Sequence, residues 1–190
     1  SDPTKYMNTI TANELKTHLY IVAADGMEGR ETGSAGQKRA GTYLINQYKK
    51  NGISFPKAAS SFYQKVPASF LNAKRNEILV ISAHYDHVGV KNGDVYNGAD
   101  DDGSGTVALL EIAEAFQKAK KDGHGPKRSI MFLHVTGEEH GLLGSSYYSA
   151  NPLFPMENTI TDINIDMIGR RDEAHANSNN YVYVIGADRL

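Results

Sequence analysis

The chain reads as an α/β protein: a largely parallel mixed sheet with helices on both faces. Three observations predict this. Short apolar runs alternate with segments of helical period. The order strand, helix, strand, helix, strand calls for crossover connections, which build parallel sheets. Charged and metal-competent residues cluster where the apolar runs end, the edge at which open α/β sheets bind ligands.

In order, Thr11-Ala-Asn-Glu14 is a capping box, followed by Leu15, Leu19 and Val22 as an apolar stripe. A Gly-rich charged loop runs from Gly26 to Gly36. Ser34 can cap a second helix reaching about Asn51, with Gly52 as its stop. The stretch Phe62–Phe70 mixes aromatic and β-branched residues and predicts an early strand, which Pro67 pushes to a sheet edge. Glu77–Ser82 is a buried strand, with Ile78-Leu-Val-Ile81 at its centre. Thr106–Lys121 is a helix with Leu109, Leu110, Ile112, Ala113 and Phe116 on its apolar side. Ser129–Val135 is a second buried strand and Gly141–Ser149 a short helix. Thr159–Met167 and Tyr181–Ile185 are a third and a fourth strand.

With 190 residues the chain suits a single domain, residues 1–190, with N-terminal helices over 11–52 and the core over 77–190. Twenty basic against 22 acidic residues give a net charge of -2, which favours neither nucleic acid nor a membrane surface as a partner. No apolar run reaches the roughly 18 residues of a membrane span. The absence of cysteine excludes disulfides, thiolate metal sites and a Cys nucleophile.

His84 and Asp86 follow the first buried strand. Gly98-Ala-Asp-Asp-Asp-Gly-Ser-Gly105 precedes the long helix, Glu138 and Glu139 follow the second strand, and Asp166 closes the third. A neutral imidazole with hard carboxylates suits zinc or a similar divalent ion. His84-x-Asp86 puts both side chains on one face of extended chain, so one can ligate while the other supports it. Asp100, Asp101 and Asp102 repel one another, and a cation is the simplest thing to make that run tolerable. Asp166, in an apolar strand, costs several kcal/mol if buried without a partner.

Taken singly, these residues have plainer readings. His84 alone suits a core histidine, the aspartates a solvated loop, and Glu138-Glu139 a helix start. An EF-hand fails, because Gly98 and Leu109 would occupy its first and last positions. His134 reads as a core residue, and His18 and His124 as surface positions. His87 and His140 lie beside the constellation, where supporting roles are open to them. His175 sits in a polar loop. Neither a phosphate-cradling Gly-Lys-Ser/Thr nor a Gly-x-Ser-x-Gly elbow is present.

Four strings then stand in order: Ser82-Ala-His-Tyr-Asp-His87, Asn97-Gly-Ala-Asp-Asp-Asp-Gly-Ser-Gly105, Thr136-Gly-Glu-Glu-His-Gly-Leu-Leu-Gly-Ser145 and Ile163-Asn-Ile-Asp-Met-Ile-Gly169. Together they resemble the M28 family of zinc peptidases, as does Asp25-Gly-Met-Glu-Gly-Arg30 near the start. The resemblance implies a zinc-exopeptidase architecture and a two-zinc site. In it His84 and Asp166 hold one ion, Asp101 bridges both, and Glu139 holds the other. Glu138 would be the general base, and Asp86 would accept a hydrogen bond from His84. The Asp101–Asp102 peptide bond is a candidate for the cis form common in the family.

A further histidine ligand normally lies well downstream of the Asp166-type residue. Only 24 residues follow Asp166, and His175 comes too early to match, so the resemblance implies a domain incomplete at its C-terminus, binding metal weakly and inactive by itself although the whole protein would be a peptidase. The implied activity of the whole is removal of N-terminal residues from peptides, with export to the periplasm or the exterior although the chain carries no signal peptide. A carboxypeptidase, a glutaminyl-cyclase-like relative and a non-catalytic binding domain remain as alternatives.

Overall fold

A computed structural model of the chain describes residues 2–59, 61–63, 77–178 and 181–186. Its helices are α1 (Thr4–Met7), α2 (Ala12–Val22), α3 (Ala35–Lys50), α4 (Gly103–Lys121) and α5 (Leu143–Ala150). Its strands are β1 (Ile78–His84), β2 (Val90–Lys91), β3 (Asp94–Val95), β4 (Ser129–Val135) and β5 (Thr159–Asn164).

The helix starts follow their caps. The Thr11 hydroxyl accepts the Glu14 N–H at 3.2 Å, and the Ser34 hydroxyl accepts the Gln37 N–H at 3.0 Å. Helix α4 begins at Gly103 rather than Thr106, because the Asp102 carboxylate caps it by accepting the Gly105 N–H at 2.9 Å. Gly105 has to be glycine. A Cβ there would sit 2.2 Å from the Ile165 carbonyl oxygen and 2.5 Å from the Asp102 carboxylate.

The main sheet has the order β4-β1-β5, and both pairings are parallel. Alternation along β1 sends its side chains to two faces. Ile81 and Ala83 pack with Leu109 of α4 and with Leu79, Ile112 and Phe116. Ile78 and Val80 pack on the other side with Met131, Tyr148 of α5, Leu153 and Phe154. Leu44 and Tyr48 dock α3 onto Leu110 and Ala113 of α4. Helices therefore cover both faces, as expected. Among the described residues no helix is long and apolar enough to cross a membrane.

Two strand expectations need correction, and a third lies mostly out of view. β5 stops at Asn164, so Asp166 lies in the loop beyond the ladder. Tyr181–Ile185 is not a strand: it has no ladder partner among the described residues, and Val182, Tyr183, Val184 and Ile185 are exposed. Tyr181 instead stacks on His175, 4.0 Å between ring centroids. Of Phe62–Phe70, residues 64–70 lie outside the described residues, while 61–63 form a bend. The antiparallel hairpin β2-β3, turning at Asn92-Gly93, was not anticipated.

Candidate metal centre

Because the three strands of the main sheet run parallel, their carboxyl ends share one edge. β1 delivers His84, Asp86 and His87 there, β4 leads to Glu138 and Glu139, and β5 to Asp166. The loop into α4 adds residues 100–102, with a cis peptide bond between Asp101 and Asp102.

The His84 side chain is 3% exposed. Its Nδ1 faces Asp86, 3.2 Å from the backbone carbonyl oxygen and 3.5 Å from Oδ1. Its Nε2 points into the acid cluster, 3.1 Å from Asp101 Oδ1 and 4.0 Å from both Glu138 Oε2 and Asp166 Oδ2. That buried nitrogen has no hydrogen-bond partner. Burial opposes charge on the ring, yet the Asp86, Asp102 and Asp166 carboxylates outweigh it and hold His84 up at about 9.

The three consecutive aspartates diverge. Asp100 accepts the Gly169 N–H at 2.7 Å and the Arg170 Nε–H at 2.7 Å, which gives it a counter-charge of its own. Asp101 turns into the centre. Asp102 turns inward and accepts the backbone N–H groups of His84 (3.2 Å), Gly105 (2.9 Å) and Met167 (3.4 Å). One carboxylate thus ties β1, α4 and the segment after β5 together. Burial and the neighbouring Asp166 push Asp102 up to about 8, against the pull of His84. The mutual repulsion expected of the run is relieved partly by this divergence.

Asp86 is fully buried and braces the other side of His84. It accepts the Glu138 N–H at 3.3 Å and the Thr32 hydroxyl at 3.2 Å. Burial alone would raise it, but His84 and the Glu138 N–H hold it below the usual range. Asp166, its side chain 39% exposed, is not the buried strand carboxylate the sequence suggested. Burial, with Asp101, Asp100 and Glu139, still raises it, and burial with Glu139, Asp101 and Asp166 raises Glu138.

Two residues join the predicted set. His87 Nδ1 lies 2.6 Å from Glu139 Oε1 and 3.9 Å from Asp101 Oδ1. Two groups therefore have ligand atoms all within 4.8 Å of one another: His84, Asp102 and Asp166, and His87, Asp101 and Glu139. Imidazole nitrogen with carboxylate oxygen is a donor set that zinc accepts, and the orphaned His84 Nε2 fits an ion there.

Arg30 was seen in sequence only as the end of a string. It is fully buried, and burial lowers it to about 10. Its fork donates to the carbonyls of Val22 (2.5 Å), Tyr85 (2.8 Å), Asn97 (3.0 Å) and Gly98 (2.9 Å). It fastens the chain after β1 to the acidic loop. Beside the centre lies a cleft of about 560 Å³ whose wall includes Leu19, Tyr96, Asn97, Met167 and Arg170.

Comparison with known proteins yields one family model, Peptidase family M28, over residues 66–182. Aminopeptidase YwaD of Bacillus subtilis is 32% identical over 121 residues, covering 59% of this chain and 24% of that protein. A Zn-dependent exopeptidase from Parabacteroides distasonis superposes with TM-score 0.62 at 23% identity, covering 85% of this chain and 63% of that one. Porphyromonas gingivalis glutaminyl cyclase gives TM-score 0.64 at 23% identity over 85% and 62% of the two chains. The chain spans about a third or less of the length of the curated relatives it matches.

Proposed function

The chain belongs to peptidase family M28, and from that premise we propose that it is the catalytic part of a zinc aminopeptidase with two cations at the sheet edge. His84, Asp101 and Asp166 would hold one ion, and Asp101 and Glu139 the other, with Asp101 between them. The observation that carries the reading is the buried, unpartnered His84 Nε2, 3.1 Å from Asp101 and 4.0 Å from Asp166 and Glu138.

When bound, such ions polarise a scissile carbonyl and make hydroxide available near neutral pH. The chain's residues do the rest. Asp86 orients His84, and Asp102 anchors the backbone on which His84 and the Asp166 loop sit. Glu138, one-third exposed and with its proton affinity raised, takes a proton from the attacking water and passes it to the leaving amine.

Charge favours an N-terminal substrate. The carboxylates around the centre (Asp86, Asp101, Asp102, Glu138, Glu139 and Asp166) outnumber its one buried cationic side chain, Arg30, and offer a substrate ammonium partners that a substrate carboxylate would lack. Arg170, on the cleft wall, has its Nε–H engaged by Asp100. Peptides blocked at the N-terminus should therefore resist hydrolysis while C-blocked ones are cleaved, and the reverse pattern would assign a carboxypeptidase. Glu138→Gln should keep its zinc and lose turnover by roughly 10²–10⁴-fold, the usual worth of a general base. Near-normal turnover in that variant would remove Glu138 from the reaction.

A further inference from the structure

We propose that Thr32, Thr136 and Gln37 are positioning residues: they form a one-way chain of hydrogen bonds, ending on the Asp86 carboxylate, that orients Asp86 and through it His84. This rests on the metal-centre reading above and leaves its ligands as assigned.

The direction of the chain follows from which groups can only donate and which can only accept. The Gly33 N–H reaches Gln37 Oε1 at 2.8 Å. A backbone N–H can only donate, so the Gln37 amide is turned with its oxygen to Gly33 and its nitrogen to the Thr136 hydroxyl, to which it donates. At the far end a carboxylate can only accept, so the Thr32 hydroxyl, 3.2 Å from Asp86 Oδ2, directs its single hydrogen there. Between these ends the two threonine hydroxyls lie 3.2 Å apart. The hydrogen between them therefore comes from Thr136, which has Gln37 as its own donor. Donation runs from Gly33 through Gln37, Thr136 and Thr32 to Asp86, and no other order satisfies every member.

The chain reaches both arms of the centre. Asp86 is fully buried, and its other oxygen accepts the Glu138 N–H at 3.3 Å and lies 3.5 Å from His84 Nδ1. His84 Nδ1 also faces the Asp86 carbonyl oxygen at 3.2 Å, so both neighbours of that nitrogen are acceptors. In the neutral ring Nδ1 thus carries the hydrogen, and the Nε2 lone pair is left for an ion. Thr136 begins the turn that carries Glu138 and Glu139, and its carbonyl accepts the Gly144 N–H at 2.7 Å. Gln37 is buried in the first turn of α3, so the chain fastens that helix start to the centre. Each donor polarises the next, so losing the Thr32 hydroxyl loosens Asp86 and weakens its hold on the His84 N–H.

The rival reading is a loop staple alone, in which water stands in for the hydroxyl of the exposed Thr32. The test is titration of the metal-free protein with Co²⁺, followed by visible absorption and calorimetry, with circular dichroism to check folding. The step lost in His84→Ala marks the ion that His84 holds. Thr32→Val should weaken that step by roughly 10–100-fold, the usual cost of removing a group that orients a ligand, and Thr32→Ser should restore it. Thr136→Val should act in the same direction, and the double variant should lose no more than Thr32→Val by itself, because a single chain is cut only once. In the zinc-loaded protein the His84 Nδ1–H resonance should move in Thr32→Val and return in Thr32→Ser. Either an unaltered His84-dependent step or an unmoved resonance in Thr32→Val would overturn the relay and leave the metal centre standing, even if the melting temperature fell. Additive losses in the double variant would overturn it too. A wild type with no His84-dependent step would overturn both readings. If Thr32→Val does not fold, Thr136→Val decides by the same two measurements.

Discussion

Replacing Arg30 by Met should be among the most damaging single changes outside the acid cluster. The guanidinium makes four hydrogen bonds to carbonyls, from 2.5 to 3.0 Å. Hydrogen bonds to a charged group contribute roughly 1.5–3 kcal/mol each, so the gross interaction is on the order of 6–12 kcal/mol. Drawing a guanidinium out of water returns several kcal/mol of that. Met retains most of the aliphatic stem, so the measured loss reports mainly the polar head. The expected destabilisation is about 3–5 kcal/mol, chiefly from four carbonyls left without a donor. With a urea m-value of about 2 kcal/mol/M, the unfolding midpoint should fall by roughly 2 M. Arg30→Lys should recover less than half, since an ammonium has three donors and no planar fork. Cobalt affinity should fall too, because Tyr85 and the 97–98 turn flank the ligands. A midpoint shift under about 0.5 M would show that water replaces the fork and would refute the bracing role.

Other outcomes follow from the same geometry. Gly105→Ala should destabilise by about 2 kcal/mol or more, although alanine gains about 1 kcal/mol of helix propensity, because its Cβ meets the Ile165 carbonyl and the Asp102 carboxylate. An unchanged or raised melting temperature would contradict that packing. His134 donates no charge in the fold: burial lowers it from 6.5 to about 4, its Nε2 meets the Tyr48 hydroxyl, and its Nδ1 has no partner. The unfolded chain thus binds the extra proton first. The stability tied to a neutral His134 is complete above pH 6.5 and declines as pH falls toward 4, by at most about 3 kcal/mol. Urea unfolding at several pH values should show this part of the acid loss in wild type and not in His134→Phe, and parallel profiles would contradict it.

Much of the centre was legible because charge interrupts apolar runs at the strand ends. His84, Glu138 and Glu139 stand shortly after the apolar runs Ile78–Ile81 and Ile130–Leu133, and Asp166 just past the third strand. What a linear string does not reveal is direction. Asp100, Asp101 and Asp102 are the same residue type, and only the folded backbone sends one to Arg170, one into the centre and one under the helix. His87 sits three residues from His84 and its sequence position left only a supporting role open, since whether its ring meets Glu139 depends on the Gly98 turn. A lone arginine such as Arg30 reads as surface until four carbonyls from separate segments surround it. The β2-β3 hairpin had a readable sign in Asn92-Gly93, a favoured two-residue turn. Tyr181–Ile185 had strand composition but no neighbour to pair with, and composition alone does not make a ladder.

The most direct measurement is anomalous diffraction at the zinc edge from crystals of the zinc-loaded protein. Two peaks should appear at the carboxyl edge of the sheet. Both should lie roughly 2.0–2.2 Å from Asp101 carboxylate oxygens, one at the same range from His84 Nε2 and the other from Glu139. Zinc bound elsewhere, or no ordered zinc beside His84 and Asp101, would contradict the metal centre on which the account depends.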